Sequence, residues 1–465
     1  MANKSLLTQL AKVASVEQTV FSPVSTISST GQELATPYLF LSNVTPWGDT
    51  NNPPDITGDQ KTLKSALKNM FVAKRVLSSD IIPVIQRTDW TSGTVYDYYR
   101  DDIDITTQDI NGNLFYNFFV MNRYYQVFKC LWNNKYAVSV DEPYFEPGQF
   151  ATNRIYTGPN DGYKWKYMFV VDSMYRNKFL DSNWIPVAPG FNPPSALNTG
   201  AGCGNIELLN IYSGGSGYNS TNAIISVVIT GDGTSSTGEA GTTAAATATV
   251  SNGAIVSIAM SDTGKNYTFA DATVVSTLGS GCILGANTVS PIGGHGEDPI
   301  AELGCAHVMF SVEIDGSEGN KIPTDITYYQ VGLILNPSST ANNTIANNQI
   351  YKTTYTLGVG SGVGTYTNSE TVYQGDSLSA ATFSGTVCSF DSANNILYTI
   401  NNTGTPSLST LLIGNSSGVA RTLLSQNPPD SGYILQSGYV VYLENRTGIQ
   451  RSSDGIEQFK IVLGY

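Results

Sequence analysis

Only two histidines, His295 and His307, occur in the chain of 465 residues, so imidazole chemistry has few places to sit. His295 lies close to Glu297 and Asp298 in the run PIGGHGEDPIAEL (291–303). An imidazole beside two carboxylates has the right groups for holding a metal or moving a proton. Three such residues packed around a Gly-Gly-x-Gly turn seldom converge on one point. The reading adopted is a turn whose polar side chains bond its own backbone. Nucleophile and phosphate signatures are missing: there is no GxSxG, no GxxxxGKS/T, no HExxH and no dinucleotide-type glycine pattern. The glycine-rich GSGY at 215–218 is not read as a phosphate cradle, because no helix is expected after it to supply N-terminal amides. A carboxylate pair for glycoside hydrolysis leaves no spacing signature, so that chemistry stays open. The expectation is no catalytic residue, no metal and no cofactor.

The five cysteines, Cys130, Cys203, Cys282, Cys305 and Cys388, are far apart and contain no CxxC pair. A disulfide framework or zinc site needs closer, paired spacing, so they read as free thiols in a reducing space. Net charge is −13, without an acidic block, and Lys and Arg together number 24. That balance argues against nucleic acid, which needs a basic footprint. The one locally basic run, Lys61–Arg75, reads as the solvated face of a short helix. The first twenty residues, broken by Thr8, Lys12 and Glu17, lack a signal-peptide core, and no apolar run reaches the ~20 residues of a membrane span.

The elements that would carry these residues are mostly strands. Charged residues make up 13% of the chain, about half the usual ~25%, and Gly, Tyr, Asn, Ser and Thr fill the gap. Such a composition suits a β-rich protein with many turns. The fold expected is mainly β and multi-domain, with a discontinuous β-sandwich-like core, a short helix and two inserted small β modules. Residues 1–35 read as an arm that orders only against a neighbour. Core pieces are expected at 36–199, 289–340 and 426–465. A helix is expected over Gln60–Met70, capped by Asp59, with Leu63, Ala66, Leu67 and Met70 on one face. Leu114–Trp132 is dense in aromatics and reads as a sheet of cross-strand pairs, with a sugar- or base-stacking platform as the sharper alternative.

Residues 200–288 form the first inserted module. Ile206, Leu209, Ile211, Gly215 and Tyr218 recur as Ile255, Ile258, Met260, Gly264 and Tyr267, an internal duplication of a strand, glycine turn and strand. A second module of short strands is expected at 341–425. The chain ends on SGYVVYLENRTGIQRSSDGIEQFKIVLGY (437–465), read as two strands, Tyr439–Leu443 and Gln458–Leu463, flanking a polar loop that opens with Glu444, Asn445 and Arg446. Val440, Tyr442, Phe459, Ile461 and Leu463 hold the alternate apolar positions. This segment is expected to close a sheet begun near the other end of the chain.

Taken together, several pieces resemble the dimeric baseplate wedge subunit of T-even-like contractile-tailed phages. They are LFLSNVTPW (39–47), the helix, SSDIIPVIQRTDW (78–90), DGYKWKYMFVV (161–171), NWIPVAP (183–189), YYQVGLILNP (328–337) and SGYVVYLENR (437–446), in the family's order. The positions that carry the resemblance are Pro46, Trp47, Pro83, Arg87, Asp89, Trp90, Gly162, Tyr163, Trp165, Tyr167, Asn336, Pro337, Tyr442, Glu444, Asn445 and Arg446. The resemblance implies a non-enzymatic, mostly β homodimer of the virion's tail baseplate that joins other wedge proteins around the tail hub. The charge balance, the apolar runs and the free thiols add the expectation of no nucleic acid, no membrane and assembly in the host cytoplasm. The modules at 200–288 and 341–425 depart from the family, whose founding members have short connections there. Two competing expectations follow: a receptor- or carbohydrate-binding tail protein using those modules for host-surface contact, and a hydrolase acting on surface polysaccharide.

Overall fold

Runs of alternating or continuous apolar residues bounded by glycine, proline and asparagine become strands almost throughout. A computed structural model of the protein describes residues 8–21, 36–100, 103–106, 116–146, 155–188, 204–219, 224–239, 241–284, 289–291, 294–319, 321–340, 344–452 and 454–465. The protein is mainly β and multi-domain. It divides into two units, each discontinuous: residues 1–17, 82–309 and 462–465 in one, 18–81 and 310–461 in the other. The pieces expected to share one core, 36–199, 289–340 and 426–465, are thus distributed over both.

In the second unit, Pro37–Ser42 is buried along its whole length at the middle of a five-stranded sheet. Its neighbours are Met70–Arg75 and Thr327–Leu335, and the outer strands are Ile350–Lys352 and Tyr439–Gln450. Asp59 caps the helix Gln60–Lys68 by accepting from the amides of Lys61 and Thr62, as the sequence suggests. The helix buries Ala66 and Leu67, while Met70 begins the next strand instead of closing the helix.

Residues 355–427 form a closed six-stranded barrel: Tyr355–Val359, Ile396–Gly404, Phe383–Asp391, Thr371–Gln374, Leu411–Gly414 and Ala420–Asn427, in that order around it. Closure removes every open edge, and a barrel this small is filled by side chains. Leu357, Val372, Phe383, Val387, Leu397, Leu412 and Leu423 supply them.

In the first unit, Phe119–Met121, Gln126–Trp132, Lys164–Val170 and Ile155–Thr157 make an antiparallel sheet. Leu114 and Phe115 lie outside the described residues, but Phe118, Phe119, Phe128 and Trp132 are buried. The aromatic run therefore packs a sheet. Within the same unit, Val84, Ile85 and Gln86 pair antiparallel with Pro186, Ile185 and Trp184.

The duplicated residues 204–284 pair copy with copy. Ile225–Gly231 runs antiparallel to its own counterpart, Ala270–Ser276, with Ser226 opposite Val275, the equivalent position of the second copy. Ala245–Ser251 pairs with Ala254–Asp262, and Ser280–Leu284 returns to Ile211–Ser216. Both pairings carry an irregularity at the matching place, between Ala245 and Ala246 and between Ile283 and Leu284. The Tyr267 hydroxyl accepts from the Ala244 amide at 2.8 Å, and the Tyr218 hydroxyl from the Cys282 amide at 3.2 Å. Gly215 and Gly264 share a φ of 65°. These matches are those of an approximate two-fold relation, in which each half completes the other.

Three expectations need correction. The segment 1–35 is not simply an arm awaiting a neighbour: Gln9–Phe21 is helical and buries Val13, Val16 and Val20, at helical spacing on one face. Residues 1–7 and 22–35 lie outside the described residues. Glu444, Asn445 and Arg446 are not in a loop but inside the twelve-residue strand Tyr439–Gln450, paired with Thr327–Leu335. The two terminal strands also belong to different sheets, so the chain's end is not one closing pair. The first of them does join the sheet that Pro37–Ser42 begins.

Candidate functional site

The residues with a catalytic look do not converge. Glu297 is exposed, and the Asp298 carboxylate caps the short helix Pro299–Glu302 by accepting from the Ala301 amide at 3.0 Å. Glu302 accepts from the amides of Gly296 and Asp298 at 2.8 and 3.0 Å, so this turn does spend its carboxylates on its own backbone. Among the described residues no group of three His, Cys, Asp or Glu side chains is placed to hold a metal. His307 stands apart from His295, against the Trp184 ring at 4.7 Å. Cys130, Cys282, Cys305 and Cys388 are free thiols, and burial pushes all four up; Cys203 lies outside the described residues. No described helix is long and apolar enough to cross a membrane.

What surrounds His295 is a buried ionic cluster that sequence reasoning missed. Lys129 and Lys166 sit directly opposite each other on adjacent strands. Like charges facing each other there would be destabilising. Glu302 pairs with Lys129, both side chains fully buried, and Glu207 pairs with Lys166 at 3.4 Å. The Lys129 ammonium also lies 4.5 Å from the centre of the Tyr99 ring. The His295 amide donates to Glu207 at 2.8 Å, and its ring meets Tyr99 edge-on at 5.1 Å. Burial, then the charges of Lys129 and Lys166, hold the imidazole well below the ordinary histidine range. In DGYKWKYMFVV the alternation of Lys164 and Lys166 with Trp165 and Tyr167 reads as one wet and one dry face. The carboxylates that bury the lysine face come from residues 41 and 173 positions away.

The positions that carry the family resemblance gather into two groups, one per unit. In the second unit the Trp47 indole donates to the Arg446 carbonyl at 2.9 Å across 399 residues, and its ring packs edge-on to Tyr329. Glu444 accepts from Tyr442 at 2.8 Å and from Arg446 at 2.9 Å. Asn445 accepts from Gln330 at 2.7 Å and donates to the Pro54 carbonyl at 2.7 Å. Pairing with Thr327–Leu335 breaks register between Tyr328 and Gln330, opposite Ile449 and Asn445, so Trp47 plugs the strand where it bulges. Pro46 is exposed. Asn336, at φ 49°, accepts from the Thr36 amide at 2.7 Å, and the buried Pro337 gives its carbonyl to Ala346.

In the first unit Tyr163 stacks on Trp165 at 5.4 Å, Trp165 meets Tyr96 at 5.5 Å, and Tyr167 packs on Phe128. The Tyr163 hydroxyl donates to Ala137 at 2.6 Å and accepts from the Tyr96 amide. Trp90 donates to Ser139 at 3.0 Å. Gly162 turns at φ 71°, where a side chain would also meet Asn134. Arg87 holds both oxygens of Asp89 at 3.0 Å and the Asp181 carbonyl at 2.7 Å, and Pro83 gives its carbonyl to Val187. These contacts tie loops and strands together, as Trp47 does with Arg446 and Tyr163 with Tyr96.

The second unit holds a further buried cation that the sequence reading passed over. Arg451 is fully buried, donating to the Pro323 carbonyl at 3.0 Å and the Gly316 carbonyl at 2.8 Å, and it pairs with Glu457, which Tyr328 also bonds at 3.2 Å. No protein-family model matches the chain, and no curated protein matches it.

Proposed function

We propose that the chain is a structural subunit of a phage tail baseplate wedge, working by interface burial against neighbouring wedge proteins and a second copy of itself. It assembles in the host cytoplasm and performs no catalysis. The observation that carries the reading is the Tyr442–Arg446 run. It lies in an outer strand of the five-stranded sheet, locked by Trp47 from the far end of the chain, with Tyr439 75% and Val441 46% exposed. A long outer strand with exposed apolar side chains is a surface that another chain can extend or cover. The remaining family-like positions support it by bracing loops, the work expected of a subunit that transmits load. Replacing Val441 by lysine tests it, because the side chain is exposed and folding is spared. The variant should fold with a wild-type melting profile yet fail to co-assemble with its wedge neighbours; normal co-assembly would count against this face.

A second reading has its own observation. The outward face of the pair Ile225–Gly231 and Ala270–Ser276 exposes Val228 and Val275, with Ile224 and Phe269 exposed at its ends. A receptor- or carbohydrate-binding head would use such a face. Full-length protein titrated against host cells and host glycans distinguishes the two: saturable binding favours the head, and a flat titration removes it.

A further inference from the structure

The entry to the duplicated module rests on a cationic patch of the neighbouring sheet. Glu207 reaches Lys166, and Asn210 accepts from Lys164 at 3.2 Å and donates to the Leu131 carbonyl at 3.2 Å. Tyr212 packs on Trp132 at 5.0 Å and shares a hydrogen bond with Tyr98 at 3.2 Å. His295 closes this seat, its backbone held by Glu207 and its ring beside Tyr99. The Nδ1 atom is buried and has no hydrogen-bond partner.

We propose that this seat is an acid-operated latch: when His295 takes up a proton, residues 204–212 leave the sheet. The geometry dictates the direction. A protonated ring would add a third positive charge beside Lys129 and Lys166 and a second N–H with no acceptor. The nearby carboxylates are already engaged: Glu302 with Lys129 and two amides, Glu207 with Lys166 and the His295 amide, Asp298 with Ala301. The closed seat therefore holds His295 neutral, with burial first and the two lysines second keeping it well below its ordinary value. The open seat lets the ring titrate near the ordinary pKa of ~6.5. Because the open form binds the proton more tightly, the opening equilibrium rises as pH falls below that value, by up to about tenfold per unit. An unperturbed carboxylate titrates at about pH 4. Burial pushes the Asp298 carboxyl above its ordinary value, so between about pH 6.5 and 5 the His295→Gln control is what separates the imidazole from it.

Hydroxyl-radical footprinting of the full chain reads the seat through Tyr99, Trp132 and Tyr212. Their oxidation should rise several-fold between pH 7.5 and 5 in the wild type and in His307→Gln, and stay flat in His295→Gln. A flat wild-type profile, or a rise that persists in His295→Gln, overturns the proposal. Should His295→Gln fail to fold, the wild type still decides it, since two histidines give two ring signals in spectra of histidine-labelled protein. The signal that His295→Asn or His307→Gln removes assigns them. The His295 midpoint must coincide with the rise in oxidation; protonation of His295 without that rise refutes the latch.

Discussion

Replacing Arg451 by methionine should be among the most damaging single changes in the protein. The side chain is 0% exposed and makes two hydrogen bonds to carbonyls besides its ion pair with Glu457. Methionine fills much of the same volume, so the loss is electrostatic more than steric. Removing one partner of a buried ion pair costs about 3–5 kcal/mol, because the other charge is left behind. Here the Glu457 side chain keeps 18% exposure and the Tyr328 bond, which sets the expectation at the lower end. A loss of about 3 kcal/mol corresponds to roughly 150-fold in the local opening equilibrium. Two units need not unfold together, so the assay is amide exchange over 326–331 and 449–451 rather than a single global melt. Adding Glu457→Gln to Arg451→Met should restore part of the loss by removing the orphaned charge. Exchange within threefold of wild type in Arg451→Met would refute the reasoning.

Lys129→Met should destabilise the first unit by about 3–5 kcal/mol, and Lys129→Met with Glu302→Gln by clearly less, measured by urea denaturation. Equal losses would mean the pair is not coupled. Tyr218→Phe and Tyr267→Phe each remove one bond to a backbone amide and should cost about 1 kcal/mol apiece, as the two-fold relation of the module requires; a large cost at one and none at the other would contradict it. Burial pushes the Glu370 carboxyl up, but bonds from the Ser417 amide, Thr367 amide, Ser417 hydroxyl and Ser416 amide outweigh that and hold it below its ordinary value. Its stabilisation of the barrel is then complete above the unfolded pKa of ~4.3 and is lost as pH falls through the folded value. Barrel melting should fall on acidification in the wild type and less steeply in Glu370→Gln.

The strands were legible where the signal is local. Apolar runs such as Tyr38–Leu41 and Ile81–Gln86 declare themselves, and the duplication of Ile206–Tyr218 in Ile255–Tyr267 needs only self-comparison. The pairing of copy with copy was hidden, because register is settled between segments, not within them. Glu444, Asn445 and Arg446 have poor strand propensity and read as loop; Thr327–Leu335 imposes extension, and Gln330 answers Asn445 side chain to side chain. The helix at 9–21 could have been found from Val13, Val16 and Val20, whose β-branched side chains masked a helical spacing. A buried cation is recognised by its partner, and Glu302 and Glu207 are distant in the chain from Lys129 and Lys166. Although Glu457 follows Arg451 by six positions, the carbonyls of Pro323 and Gly316 that bury the guanidinium lie 128 and 135 residues away.

The central claim, that this chain is a structural part of a tail baseplate wedge, is tested most directly by its position in the particle. Gold-labelled antibody against the protein, imaged by electron microscopy on intact virions, should decorate the distal plate of the tail. Label confined to fibres, or no label on any particle, would contradict the account.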